Sequence, residues 1–208
     1  MPQQEIFRVD GPGAIRDLAR ARPRATLISH TAHRGPVVSH LPVLVDDAEQ
    51  GAAPTLLGHL ARTDAAAHEL GSHGVVVVPQ GPHGYLSPVW HEATPHVPTW
   101  NFPVPHVHGR REVLDPADTY DVLCATVDHF EDPCPEPWRS ARVDTCAHRI
   151  AAAVTGFRLP ATRVTVKAEL SQDEREDTVI RLTKVLESDH PYAHPDLARA
   201  MRDIRRKP

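Results

Sequence analysis

Histidine is the residue most able to do chemistry here, and the 208-residue chain carries 15 of them. Imidazole is the commonest metal ligand and titrates near neutral pH, so the excess raises metal binding and proton transfer. The densest stretch is Gln80–Arg110, where His83, His91, His96, His106 and His108 lie among Tyr85, Trp90, Trp100 and several prolines. Prolines lower the entropy cost of holding a loop in one shape. Aromatic walls with a few fixed polar groups are what a small-molecule pocket uses. The plainer reading is a rigid loop whose Trp90 and Trp100 plug the core. His106-x-His108 falls on an expected strand, where residues i and i+2 share a face and both imidazoles could reach one metal. A zinc site needs at least one further ligand, which the spacing does not identify. His59, in Gly58-His59-Leu60-Ala61-Arg62, ends an apolar strand just before a helix. Arg62 would sit in the first helical turn, where a cofactor carboxylate or phosphate could be met. The competing reading of His59 is a capping or a buried, hydrogen-bonded imidazole. His40 interrupts the apolar run Ser39-His40-Leu41-Pro42 and is the second candidate. Cys124, Cys134 and Cys146 are odd in number and form no C-x-x-C, so neither a disulfide framework nor a thiolate zinc site is indicated. No dinucleotide-binding glycine motif, Walker A loop, nucleophile elbow or H-E-x-x-H occurs.

The elements that must position these residues read as mainly β. Ala25–Ser29, Val37–Val45, Thr55–Leu60 and Gly74–Val78 are short β-rich runs separated by turn-like HRGP and DDAEQGAAP. Val104–Leu114 and Gly156–Lys167 are two further strands. Six strands at this spacing predict a barrel or sandwich in preference to a βαβ fold. Helices are expected over 12–22, ended by Pro23, over Ala61–Leu70, and over Asp118–Glu131. A fourth opens at SQDERED, with Ser171 as its cap, Glu174 at the capping-box position and Val179, Leu182 and Leu186 as its apolar stripe. The last, Pro195–Arg205, turns Leu197, Met201 and Ile204 to one side. Seven prolines between Pro79 and Pro105 predict an ordered loop with little regular structure.

Composition narrows the classes. A chain of this length can bury about 70% of its unfolded surface, enough for a core without disulfides. The formal net charge is −4, whereas a free-standing nucleic-acid binder usually shows a basic excess. No apolar run approaches the ~18 residues that span a bilayer, and MPQQEIFRVD does not read as a signal peptide. The expectation is a cytoplasmic protein with neither membrane nor nucleic-acid partner.

Several segments together resemble the PaiB family, whose fold is the FMN-binding split barrel. They are Ser39-His40-Leu41-Pro42, Leu57-Gly58-His59-Leu60-Ala61-Arg62, Gln80-Gly81-Pro82-His83 with Tyr85 and Ser87-Pro88, Val97-Pro98-Thr99-Trp100-Asn101, His106-Val107-His108-Gly109-Arg110 and Leu170-Ser171-Gln172. The resemblance implies an α+β, mainly β protein: a homodimer of split barrels with peripheral helices and a cofactor near the dimer interface. Residues 1–170 would form the barrel domain and 171–208 a helical extension packed on it. The chain departs from the family pattern at Thr63-Asp64-Ala65-Ala66-Ala67, at Trp90-His91 and at Lys167-Ala168-Glu169. These departures weaken transfer of the flavin site. The histidine excess suits a related branch, the piperazate synthases, which resemble PaiB but use heme b to cyclise L-N5-hydroxyornithine. That likeness implies His59 as the axial iron ligand, Arg62 or Arg110 holding a heme propionate or the amino-acid substrate's carboxylate, and Trp90 and Trp100 as walls. His40, His83 and Lys167 are the candidate acid and base. The alternatives are an FMN-binding oxidoreductase, with Ser87, Thr99 and arginines on the phosphate, and a negative transcriptional regulator.

Overall fold

Alternation of apolar and polar residues gives strands with one buried and one open face. The structure is a computed structural model and describes residues 5–7, 12–48, 53–92 and 95–206. Its strands are β1 Arg24–Thr31, β2 Gly35–Val45, β3 Thr55–Ala61, β4 Gly74–Pro79, β5 Gly84–Leu86, β6 Thr99–Arg110, β7 Glu112–Val113 and β8 Val154–Glu169. Its helices are α1 Pro12–Ala21, α2 Arg62–Ala67, α3 Pro116–Glu131, α4 Asp144–Ala151, α5 Glu176–Leu186 and α6 Pro195–Arg206. All six expected strands are present. β6 starts five residues earlier than the sequence pattern suggested and stops at Arg110, and the loop expected over 79–105 contributes β5, a 3-10 turn at Pro88–His91 and half of β6. α4 was not anticipated.

The strands form one sheet in the order β5-β6-β4-β1-β2-β3-β8-β7, and a further pairing of β6 with β8 closes the ring β6-β4-β1-β2-β3-β8. This is the split barrel that the motifs implied. The chain divides into two compact units. One comprises Gly11–Gln80 and His106–Val164, the other Met1–Asp10, Gly81–Pro105 and Thr165–Pro208. β6 and β8 contribute residues to both.

In the barrel unit Leu27, Val43, Leu56, Val77, Val107 and Phe157 are among the side chains turned inward and buried. Each contributes about 1.5–3 kcal/mol by leaving water. Two glycines allow the close approaches. A Cβ on Gly156 would lie 2.7 Å from Thr119 Oγ1, so its absence lets α3 rest on the sheet. A Cβ on Gly109 of β6 would lie 2.5 Å from the Pro160 carbonyl oxygen of β8. Next to it the Thr162 hydroxyl donates to the His108 carbonyl at 3.2 Å.

In the second unit α5 and α6 cover a core that includes Leu86, Leu170, Leu182, Leu186, Leu197 and Met201. The apolar stripes expected on both helices are the buried ones. The expected cap is corrected: α5 begins at Glu176 behind Arg175, which provides no side-chain cap. Ser171 instead takes a left-handed backbone (φ 58°) and accepts a hydrogen bond from Asn101 Nδ2 at 2.9 Å. A tertiary partner has outcompeted the local one.

Gly109→Ala should lower stability by about 1–3 kcal/mol, since β6 and β8 would have to separate. Gly74→Ala, whose Cβ would meet nothing nearer than 3.8 Å, serves as the control. Urea denaturation of the two variants beside the parent checks this, and equal midpoints would refute it.

Candidate functional site

Four of the ten expected site residues, His40, His59, Arg62 and Arg110, belong to the barrel unit. Ile28 of β1 lies between Val38 of β2 and Val76 of β4, and Val76 pairs with His108 of β6. This row is apolar yet open: Ile28 is 37% and Val38 54% exposed. Beside it His30, Pro36, His108, Arg110 and Thr162 help to line a groove of about 570 Å³. Arg110 Nε donates to the Gly71 carbonyl at 2.9 Å, which fixes the guanidinium at the groove edge. An apolar floor with a cationic rim suits a flat, anionic ligand.

His106 and His108 share a face as expected, but the arrangement disfavours a cation there. Arg163 Nη2 lies 3.1 Å from both ring nitrogens of His108. Burial first and Arg163 second lower the pKa of His108, and burial likewise leads the lowering at His106.

The β2–β3 register pairs Leu44 with Leu57, so His40 and His59 project from this same outer side. His40 is exposed, with Nδ1 3.1 Å from the Thr26 hydroxyl. His59 is half-buried on β3 opposite Gly156, one strand from the place where α3 rests. Its Nδ1 is buried without a hydrogen-bond partner, and burial lowers its pKa, which holds the ring neutral. Arg62 is exposed at the start of α2, a helix of only six residues.

The remaining candidates belong to the second unit. Trp100 is 50% exposed, and its Nε1 donates to His83 Nδ1 at 3.2 Å. In a neutral ring that leaves the His83 proton on Nε2. Trp90 packs on the helical core and meets Tyr85 and His190 edge-on, the plainer of its two readings. Ser87 accepts from the Val89 amide at 3.4 Å and caps the 3-10 turn. Thr99 is exposed at the start of β6. Lys167 is ion-paired with Glu169 and lies 5.8 Å from the Phe102 ring centre.

Two polar residues in the barrel unit were passed over in the sequence. His68 is wholly buried, with Nδ1 2.7 Å from the Ser29 hydroxyl and Nε2 2.9 Å from that of Ser39. Arg111 is 2% exposed, lies 5.3 Å from the Phe157 ring centre, and finds no hydrogen-bond partner for any guanidinium nitrogen. Burial lowers its pKa to about 10, so it stays charged at neutral pH.

A closed split barrel with an open, ligand-sized outer face defines a cofactor-binding class. The sequence comparisons agree. Residues 1–163 match the family described as "Putative FMN-binding domain", and the chain belongs to it. It is 23% identical, over 98% of its own length and 97% of the relative's, to the protease synthase and sporulation protein PAI 2 of Bacillus subtilis (strain 168). The fold is also that of the FAD and heme binding protein of Mycobacterium smegmatis, with a TM-score of 0.60 and 16% identity over 84% of this chain and 79% of that one. The flavocytochrome Anf3 of Azotobacter vinelandii gives a TM-score of 0.59 and 12% identity over 86% and 78%. The motif resemblance is thereby borne out for family and fold. Among the described residues no helix is long and apolar enough to cross a membrane.

Two predictions concern the buried polar groups. Burial, followed by Arg111, lowers the His68 pKa below its ordinary 6.5. The unfolded chain therefore binds that proton more readily. The stability His68 contributes is whole above pH 6.5 and is lost as pH falls from there toward the lowered folded-state value. Urea titrations at about pH 7.5 and about pH 5.5 should show a weaker protein at the lower pH, with a smaller drop in His68→Gln. Separately, Arg111→Met removes an unpaired buried charge and should raise stability by about 1 kcal/mol or more. A lowered urea midpoint in that variant would mean that the guanidinium has a partner in solution.

Proposed function

We propose that this chain binds heme b and cyclises L-N5-hydroxyornithine to L-piperazic acid. In that reaction an N–O bond breaks, an N–N bond forms between the two amino nitrogens, and the oxygen leaves as water. It is redox-neutral, so no electron donor is required. The observation that carries the reading is His59, a desolvated, neutral imidazole with a buried Nδ1 that nothing in the protein engages. A neutral imidazole is the ligating form. The names of the two structural neighbours above, one a heme binding protein and the other a flavocytochrome, lend support to heme on this fold.

Heme, when bound, supplies an iron centre that can polarise the hydroxylamine N–O bond. His59 would ligate the iron, and Arg110 or Arg62 would hold a propionate or the substrate carboxylate. His40 stands on the same side of the sheet as His59 and is assigned as the base that takes a proton from the α-ammonium. Its Thr26 contact orients the ring. The other two acid–base candidates belong to the second unit, where His83 accepts from Trp100 and Lys167 is ion-paired with Glu169.

A second reading has its own observation. The apolar groove edged by Arg110 also suits the ring and phosphate of a flavin. A visible spectrum of protein expressed with heme precursor separates the two. A Soret band lost in His59→Ala and kept in His108→Ala, together with loss of water from hydroxyornithine, is the expected result. A two-banded yellow flavin spectrum would overturn heme and the cyclisation with it.

A further inference from the structure

The second unit brings two imidazoles and a carboxylate together. His91 ends the 3-10 turn Pro88–His91, His96 lies in the segment before β6, and Glu174 precedes α5. Their potential ligand atoms all lie within 4.8 Å of one another, the one such grouping of three among the described residues. We propose that His91, His96 and Glu174 form a site for a divalent transition metal of the zinc class.

Four observations carry this. The first is spacing. Two ligands at ~2.1 Å from a tetrahedral zinc stand ~3.4 Å apart. His96 Nδ1 and Glu174 Oε1 are 3.5 Å apart. The second is orientation. His91 is 3% exposed, and its Nδ1 lies 3.1 Å from the Ser87 carbonyl, to which it donates. That bond leaves the Nε2 lone pair free and fixes the tautomer, which is how metal-ligating histidines are usually held. The third is backbone support. Arg181 donates to the His91 carbonyl at 2.9 Å and Arg205 to the Glu174 carbonyl at 3.1 Å, so the segments bearing these ligands are tied to α5 and α6. Arg181 itself is drawn toward Glu92 and Asp177, each 3.6 Å away. The fourth is room. The three residues line a cleft of about 270 Å³ with Thr99, Asn101 and Asp173.

The donor set is two nitrogens and one carboxylate oxygen, which fits zinc better than calcium or magnesium. Three protein ligands beside an open cleft resemble a catalytic rather than a closed structural site. The fourth position would take water or an oxygen-donor ligand.

Calorimetric titration of chelator-treated protein with zinc chloride tests this and does not depend on heme or flavin. One equivalent should bind per chain in the micromolar range or tighter. His96→Ala and Glu174→Gln, at partly exposed positions, should each weaken it roughly tenfold or more. His33→Ala, at an exposed position, should bind as the parent does. Circular dichroism confirms that the variants are folded. No saturable site, or unchanged binding in both ligand variants, would overturn the proposal and leave the cofactor reading as it stands.

Discussion

The contact on which the barrel depends is the meeting of β6 and β8 at Gly109. A ring of strands closes only if its last two members can approach to hydrogen-bonding distance, and here a carbonyl oxygen occupies the space a side chain would need. Closure removes two open sheet edges at once. It also divides the side chains of every strand into an inner set, which makes the core, and an outer set, which is available for binding. Ile28, Val38, Val76 and His108 face outward for that reason, although three of the four are as apolar as the residues inside.

The two faces treat polar groups differently. Outside, His40 and Arg110 have one contact each and remain free for a ligand. In the buried interior, His68 is held by two serine hydroxyls, whereas Arg111 has only an aromatic ring. One arrangement satisfies a buried polar group, and the other leaves its desolvation cost standing. The second unit follows a third pattern. His91 is held through one ring atom and its carbonyl and Glu174 through its carbonyl, His96 stacks on the His91 ring, and the potential ligand atoms of the three lie within 4.8 Å of one another.

Much of this was legible in the sequence because it is periodic. The β-rich runs, the stripes of α5 and α6, and the shared face of His106 and His108 follow from spacing alone. What was not legible depended on partners far along the chain. His68 falls within the alanine-rich run expected as a helix, and nothing local to it points to Ser29 and Ser39 as its partners. Ser171 reads as a helix cap because the pattern is local, and Asn101 is not. Arg111 left a signal that was missed. Asn101, Pro103, Pro105, Val107 and Gly109 alternate inward along β6, and the next residue in that series is Arg111. Extending the strand's parity by one step would have placed it inside. The grouping of His91 with Glu174 leaves no comparable trace, since nothing in the intervening sequence states how the chain returns.

The register of β3 with β8, in which Thr55 meets Pro160, has a consequence for synthesis. A ribosome delivers β1 to β4 in order, and neighbouring pairs can form as they emerge. The free edge of β3 must wait until nearly the whole chain has been made. For that interval the nascent protein presents an incomplete barrel with an exposed strand edge and no side-chain seal over Phe157's future position. Such an intermediate is the state in which chaperones would be needed and in which truncated products would aggregate.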